Sequence, residues 1–231
     1  MSSIPITHKD YSVAWVCALP LEAAAAKAML DKTHPQLLQS PGDNNTYTLG
    51  EISGHNIVVA CLPSVVYGPI SAATAAAHMR TTFPSIRFSL MVGIGGKVQN
   101  DIRVGDVVVS KPTGALGGVV HYDYGKTVAG GVFHQTGIMN QPPQVLLSAI
   151  TQLHADEILG NNKGVAGVIL DANVEMKSAF SRPADEQDWL FDPAYDHPEG
   201  EDTCIKCDRR YPIHREPTSD EPQIHYGLIA K

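Results

Sequence analysis

Cysteine is scarce in this chain: four in 231 residues, too few to build a disulfide scaffold. Charge is also sparse. Charged residues make up 18%, and Lys plus Arg number 17 against 24 Asp plus Glu, a net charge of −7. A mildly acidic chain with no long basic run is a poor candidate for a duplex nucleic-acid binder, which must offset phosphate charge, so no nucleic-acid partner is expected. No apolar run approaches the roughly 18–20 residues that span a bilayer, so no membrane partner is expected. Met1 to Asp10 lacks a cationic segment followed by a long apolar one, so no secretory signal is evident and a cytoplasmic location is expected. Hydrophobic residues nevertheless reach 43%, enough for one domain with a sizeable core.

What is present alternates. Tyr11 to Leu19 is a β-branched and aromatic run of the kind buried on both faces of a parallel sheet. Pro20 suits a first helical turn, and Leu21 to Leu30 carries five alanines. Thr46 to Gly50 and Ile57 to Leu62 read as strands joined through a turn at Ser53 to Asn56. Gly68 to Met79 is a second Ala-rich helix. Phe88 to Val92 and Val104 to Ser110 are further strands, and Pro142 to Leu153 a further helix. Gly114 to Gly137 reads as irregular or hairpin. Residues 181–222 hold six prolines and much of the acid, which marks a loop-rich acidic insertion rather than a second core. Ile224 to Ala230 is strand-like again. The alternation predicts an α/β fold, a three-layer α/β/α sandwich with a central mixed sheet, forming one domain over residues 1–231.

Two constellations stand out. In open α/β sheets ligands bind beyond the carboxyl ends of the strands. Glu22 follows the first strand there, and Gly93-Ile94-Gly95-Gly96 follows the Phe88–Val92 strand. Glycines let a ligand approach the backbone, and a neighbouring carboxylate can orient or deprotonate a water. The same residues also have a purely structural reading, as a tight turn and a dipole-favoured first-turn acid. The second constellation is Cys204-Ile205-Lys206-Cys207, flanked by His197 and His214, each seven positions from the nearer cysteine. A C-x-x-C knuckle supplies half of a zinc site, but without a second knuckle the favoured reading is a surface loop with two ordinary thiols, and the metal is left unknown. His121 to Tyr124 either lines a pocket mouth or, the favoured reading, packs its rings inside. Cys17 and Cys61 read as small core residues.

Val92 to Ser110, VGIGGKVQNDIRVGDVVVS, resembles the central signature of the purine and uridine phosphorylase superfamily. The opening VCALPLEAAAAKAML is similar to the first strand and turn of its nucleosidase branch, and Tyr67 to Ala73 resembles the helix start between those motifs. The version found in fungal multidomain NLR-like proteins is similar over nearly the whole chain, acidic insertion included. The resemblance implies a nucleoside phosphorylase-like fold that cleaves the N-glycosidic bond of purine nucleosides or nucleotides and uses no cofactor. It implies that Glu22 positions the attacking water, that Gly93, Ile94, Gly95 and Gly96 wrap the substrate with Tyr67 and Gly68, that Asp106 is structural, and that the chain forms a homodimer. Met91 stands where phosphorylases carry a phosphate-binding Arg, so hydrolysis is favoured over phosphorolysis. Val65 replaces a flexible glycine, which argues against backbone contacts from that loop. The ribose-binding Met-Glu pair and the general-acid Asp would follow the strand at His225 to Ala230, so the domain reads as incomplete at its C-terminus. Val174-Glu175-Met176 only mimics part of that motif. The alternative function is a catalytically inactive nucleoside-binding sensor module of a larger signalling protein.

Overall fold

The computed structural model describes residues 5–96, 101–160, 189–192, 194–200, 204–213 and 222–230. The chain divides into two compact units, residues 1–95 and 96–231.

The first unit is built on a five-stranded mixed sheet. Its strands are β1 (Val13–Cys17), β2 (Lys32–Thr33), β3 (Tyr47–Ile52), β4 (His55–Cys61) and β5 (Phe88–Met91), in the order β2-β3-β4-β1-β5. β1 lies between β4 and β5 and is parallel to both, with Val13 opposite Ile57 on one side and Phe88 on the other. That position explains its unbroken apolar sequence, since a strand with neighbours on both edges and helices on both faces has no side left for water. β3 and β4 form an antiparallel hairpin. Its two-residue turn places both Ser53 (φ 48°) and Gly54 (φ 79°) in the left-handed region, as the twist of a tight hairpin demands.

Alternate residues of β1 feed two cores. Ala14 and Val16 pack with Tyr47, Leu49, Val58, Ala60 and, from helix α2 (Pro69–Thr82), Ala75 and Met79. Val13 and Cys17 pack with Ile57, Val59 and Ala26 of helix α1 (Pro20–Ala28). One helix therefore covers each face, the α/β/α layering expected. Phe83, just past α2, is buried and meets Tyr11 and Tyr47 edge-on, at centroid distances of 5.4 and 5.1 Å. Pairs of this kind contribute about 0.5–1.5 kcal/mol each beyond area burial. A buried carboxylate fixes α2 to the sheet. Asp43 accepts hydrogen bonds from the hydroxyls of Tyr47 on β3 and Thr82 on α2, and from the Asn45 N–H.

The second unit contains β6 (Val107–Ser110), β7 (Val119–Val120), β8 (Gly125–Thr127), β9 (Phe133–Gln135), helix α3 (Gln144–Ile158), β10 (Ile224–Gly227) and β11 (Ile229–Ala230). β8 and β9 form a hairpin, within the segment expected to be irregular or hairpin. The strand expected over Ile224 to Ala230 is divided at Leu228. Its first half runs parallel to β6 and its second half parallel to β7. Strand β6 is shorter than expected because Val104-Gly105-Asp106 is a turn, closed by Asp106 N–H to the Arg103 carbonyl, with Gly105 at φ 94°. Asp106 is the structural residue expected. Its buried carboxylate accepts from the backbone and guanidinium of Arg103, from Gln223 N–H and from His225 Nε2, and so joins β6 to β10. Burial pushes its pKa up, but these donors outweigh burial and hold it down at about 2. Among the described residues, every buried hydrophobic except Cys207 belongs to the first unit. Val174, Glu175, Met176 and His214 lie outside the described residues.

Candidate functional site

Register brings the carboxyl ends of β4, β1 and β5 level. Cys17 pairs with Cys61 and Val16 with Met91, and the ladder closes with Leu62 N–H to Cys17 and Val92 N–H to Val16. Three loops therefore leave the sheet at one rim of the first unit: 62–68 from β4, 18–19 from β1 and 92–95 from β5.

Glu22 stands at the third position of α1, two residues past Pro20 and within the first turn. Its carboxylate folds back over the start of its own helix, where Oε2 accepts from Ala18 N–H (2.8 Å) and Leu19 N–H (2.9 Å). Half of a capping box is thereby formed, and the other half is missing because Leu19 has no acceptor in its side chain. Oε1 accepts from Ile94 N–H at 2.7 Å, which ties the acid to the loop after β5. The residue is 9% exposed, beneath a loop in which Gly93, Ile94 and Gly95 are open to solvent.

Gly93 is needed for this contact. A β-carbon there would stand 2.5 Å from Glu22 Oε1 and 2.9 Å from its Cδ. The first glycine of the GIGG run is thus a seat for the carboxylate, while Gly95 has nothing within 4 Å of where a β-carbon would be. Glu22, Gly93 and Ile94 are brought into direct contact, and Gly95 follows them. Tyr67 and Gly68 lie at the same rim on the β4 side, with no hydrogen bond to Glu22. Gly96 opens the second unit.

The loop after β4 departs from expectation. Val65 sits at φ 59°, in the left-handed region that the missing glycine would have favoured. The β-branch did not prevent this conformation, so the loop holds a strained residue instead of a rearranged backbone. Val65 is 85% exposed, so no packing of its side chain offsets the strain. Gly68, at φ 106°, starts α2 and needs its lack of a side chain there.

Other candidates are settled by burial. Burial pushes the Cys17 thiol up to about 11, with Cys61 and Glu22 nearby adding to the shift. A thiol so protonated at neutral pH is no nucleophile. Tyr122 and Tyr124 are about two-thirds exposed, which corrects the expectation that His121 to Tyr124 packs its rings inside. The cavity that His121 and Tyr124 help line is about 110 Å³, well short of the several hundred Å³ that small-molecule sites occupy. Sequence reasoning missed the three backbone donors on Glu22. Only the acid's position, three residues beyond the end of a buried strand's turn, hinted at them.

The phosphorylase superfamily model matches residues 12–165. The chain belongs to that superfamily. A nucleotide-binding leucine-rich repeat (NLR)-like protein of Hyaloscypha variabilis is 46% identical over 97% of the chain, which spans 22% of that protein. Among solved structures, the chain is similar to the MTA/SAH nucleosidase of Streptococcus pneumoniae (23% identical over 61% of this chain and 58% of that one, TM-score 0.44). It is also similar to the 5'-methylthioadenosine/S-adenosylhomocysteine nucleosidase of Colwellia psychrerythraea (21% identical, 68% and 60%, TM-score 0.47). At these TM-scores no property of either enzyme transfers to this chain.

Proposed function

We propose that this superfamily member hydrolyses the N-glycosidic bond of purine nucleosides or nucleotides, with residues 1–231 acting as one domain and Glu22 positioning the water. The supporting observation is the seat of that carboxylate. A carboxylate offers about four lone-pair sites. Ala18 and Leu19 occupy both on Oε2 and Ile94 occupies one on Oε1, which leaves one for a water at the rim of the parallel strands. Its fixed position means that little reorganisation is needed when charge develops on the sugar. In the step, the water oxygen bonds to the anomeric carbon as the carbon–nitrogen bond breaks. The bonding pair leaves with the base, which takes up a proton from solvent, and the proton lost by the attacking water passes toward Glu22 and on to solvent. The backbone of Gly93, Ile94 and Gly95, with Tyr67 and Gly68, would hold the nucleoside. Met91, 56% exposed at the end of β5, carries no charge to bind phosphate, which favours water as the nucleophile.

A second reading, a nucleoside-binding sensor without turnover, is favoured by the NLR-like relative, of which this chain matches only a part. Base release from adenosine, inosine, methylthioadenosine and their phosphorylated forms, measured with and without phosphate, separates the readings. Release in phosphate-free buffer that is lost in Glu22→Gln is the expected result. Turnover that requires phosphate overturns hydrolysis, and saturable binding with no turnover establishes the sensor. Light scattering on the purified protein is expected to give twice the 24.8 kDa chain mass, as a homodimer requires.

A further inference from the structure

The acidic insertion holds a cluster that nucleoside chemistry does not use. His197, Cys204 and Cys207 each bring a ligand atom within 4.8 Å of the others. The two cysteines are free thiols, and Cys207 is buried while His197 and Cys204 are exposed. We propose that these three side chains form a zinc site that staples the insertion and supply three of its four tetrahedral ligands, the fourth having no candidate among the described residues.

Several observations converge on this assignment. The two cysteines bracket a single helical turn, Cys204–Lys206, closed by Cys207 N–H to the Cys204 carbonyl. That turn sets both sulfurs on one side, as a zinc knuckle requires. Tetrahedral zinc with thiolate and imidazole ligands needs donor atoms roughly 3.5–3.8 Å apart, so side-chain rotation alone can close the remaining gap. His197 Nδ1 lies 3.2 Å from the Pro198 carbonyl, and the tautomer that donates to it leaves Nε2 to ligate a metal.

The surrounding chain is braced in a way that suits a staple. Residues 190–192 and 211–213 run against each other through Ile213 N–H to Leu190 and Asp192 N–H to Tyr211. Trp189, Phe191, Tyr195 and Tyr211 stack in sequence at centroid distances of 6.4, 5.3 and 5.2 Å, with Arg209 over the Trp189 ring at 5.1 Å. Asp208 N–H donates to the Tyr195 hydroxyl at 2.7 Å, fixing the residue after Cys207 to the limb that carries His197. Hydrogen bonds and rings thus hold one end of the loop, and the three ligands gather at the other. Soft thiolates beside an imidazole select zinc over magnesium or calcium, which take oxygen donors. Binding releases one proton from each thiol and none from the neutral imidazole, so no oxidant or reductant enters the balance.

The test is metal content by mass spectrometry on the full chain, purified under reducing conditions and dialysed against zinc. About one zinc per chain is expected, and cobalt substitution is expected to produce thiolate-to-metal charge transfer in the near ultraviolet. Cys204→Ser with Cys207→Ser abolishes both. His197→Ala, at an exposed position where folding is not at stake, weakens zinc binding by more than about tenfold. In the unaltered protein, bound zinc slows alkylation of Cys204 and Cys207 by about tenfold relative to chelator-treated protein. Absence of stoichiometric zinc, zinc retained in the double cysteine variant, or a Cys204–Cys207 disulfide found in place of metal would each overturn the assignment.

Discussion

Alanine at position 93 adds one methyl group in a place already taken. Its carbon would stand 2.5 Å from Glu22 Oε1 and 2.9 Å from Cδ. A glutamate side chain is flexible, but this one is tethered by three backbone N–H groups, two on the α1 side and one at Ile94. Retreat from the methyl group breaks the Ile94 bond first and strains the other two. A hydrogen bond to a charged group contributes roughly 1.5–3 kcal/mol, so losing one and weakening the rest destabilises the first unit by about 2–4 kcal/mol. Glu22→Ala loses the same bonds but vacates the space. In that background Gly93→Ala therefore has almost no further effect, and the double-variant cycle shows strong non-additivity. Urea unfolding followed by the fluorescence of Trp15, which lies in β1, measures all four states of the cycle. Costs that simply add, or a Gly93→Ala cost under about 0.5 kcal/mol, would refute the contact.

Val65→Gly is expected to stabilise the protein, because glycine relieves a left-handed β-branched residue that packs against nothing. Relief of about 1–3 kcal/mol exceeds the roughly 0.5–1 kcal/mol of extra chain entropy that glycine loses on folding, so the denaturation midpoint rises, and a fall would contradict the strain. Asp106 gives a signed pH effect. Its folded pKa, about 2, lies below the ordinary carboxylate value, so the stability it contributes is complete above about pH 4 and is lost as pH falls toward 2. Asp106→Asn should lower stability at neutral pH and flatten that acid stretch of the melting-temperature profile. Parallel profiles for the two proteins would sink the assignment.

The sheet of the first unit was legible because burial on two faces writes a plain pattern. Tyr11 to Leu19 and Ile57 to Leu62 have hardly a polar residue, and the Ala-rich stretches beside them have few structures open to them other than a helix. The strand-end principle then located Glu22 and the glycine run without coordinates. What escaped was set by contacts distant in sequence. Nothing in Ile224 to Ala230 reveals that β6 takes one half and β7 the other, since that division depends on where the 111–118 connection carries the chain. Val65 was misjudged because a local steric preference of a few kcal/mol yields when the turn around it is fixed at both ends. His121 to Tyr124 looked like core because aromatics usually are, and exposure is decided by neighbours the local pattern cannot name.

The seat of β1 has a consequence for biosynthesis. In the sheet Val13 pairs with Ile57 on one edge and Phe88 on the other, both distant in sequence, whereas β3 and β4 meet through a two-residue turn. Hairpins close within microseconds, but at ribosomal speed the stretch from β1 to β5 takes about 4–15 s to synthesise. The first strand translated is therefore the last to be paired on both edges. For that interval a ribbon of valine, tryptophan and cysteine travels with at least one unclaimed edge, and it is the nascent segment a chaperone has most reason to shield.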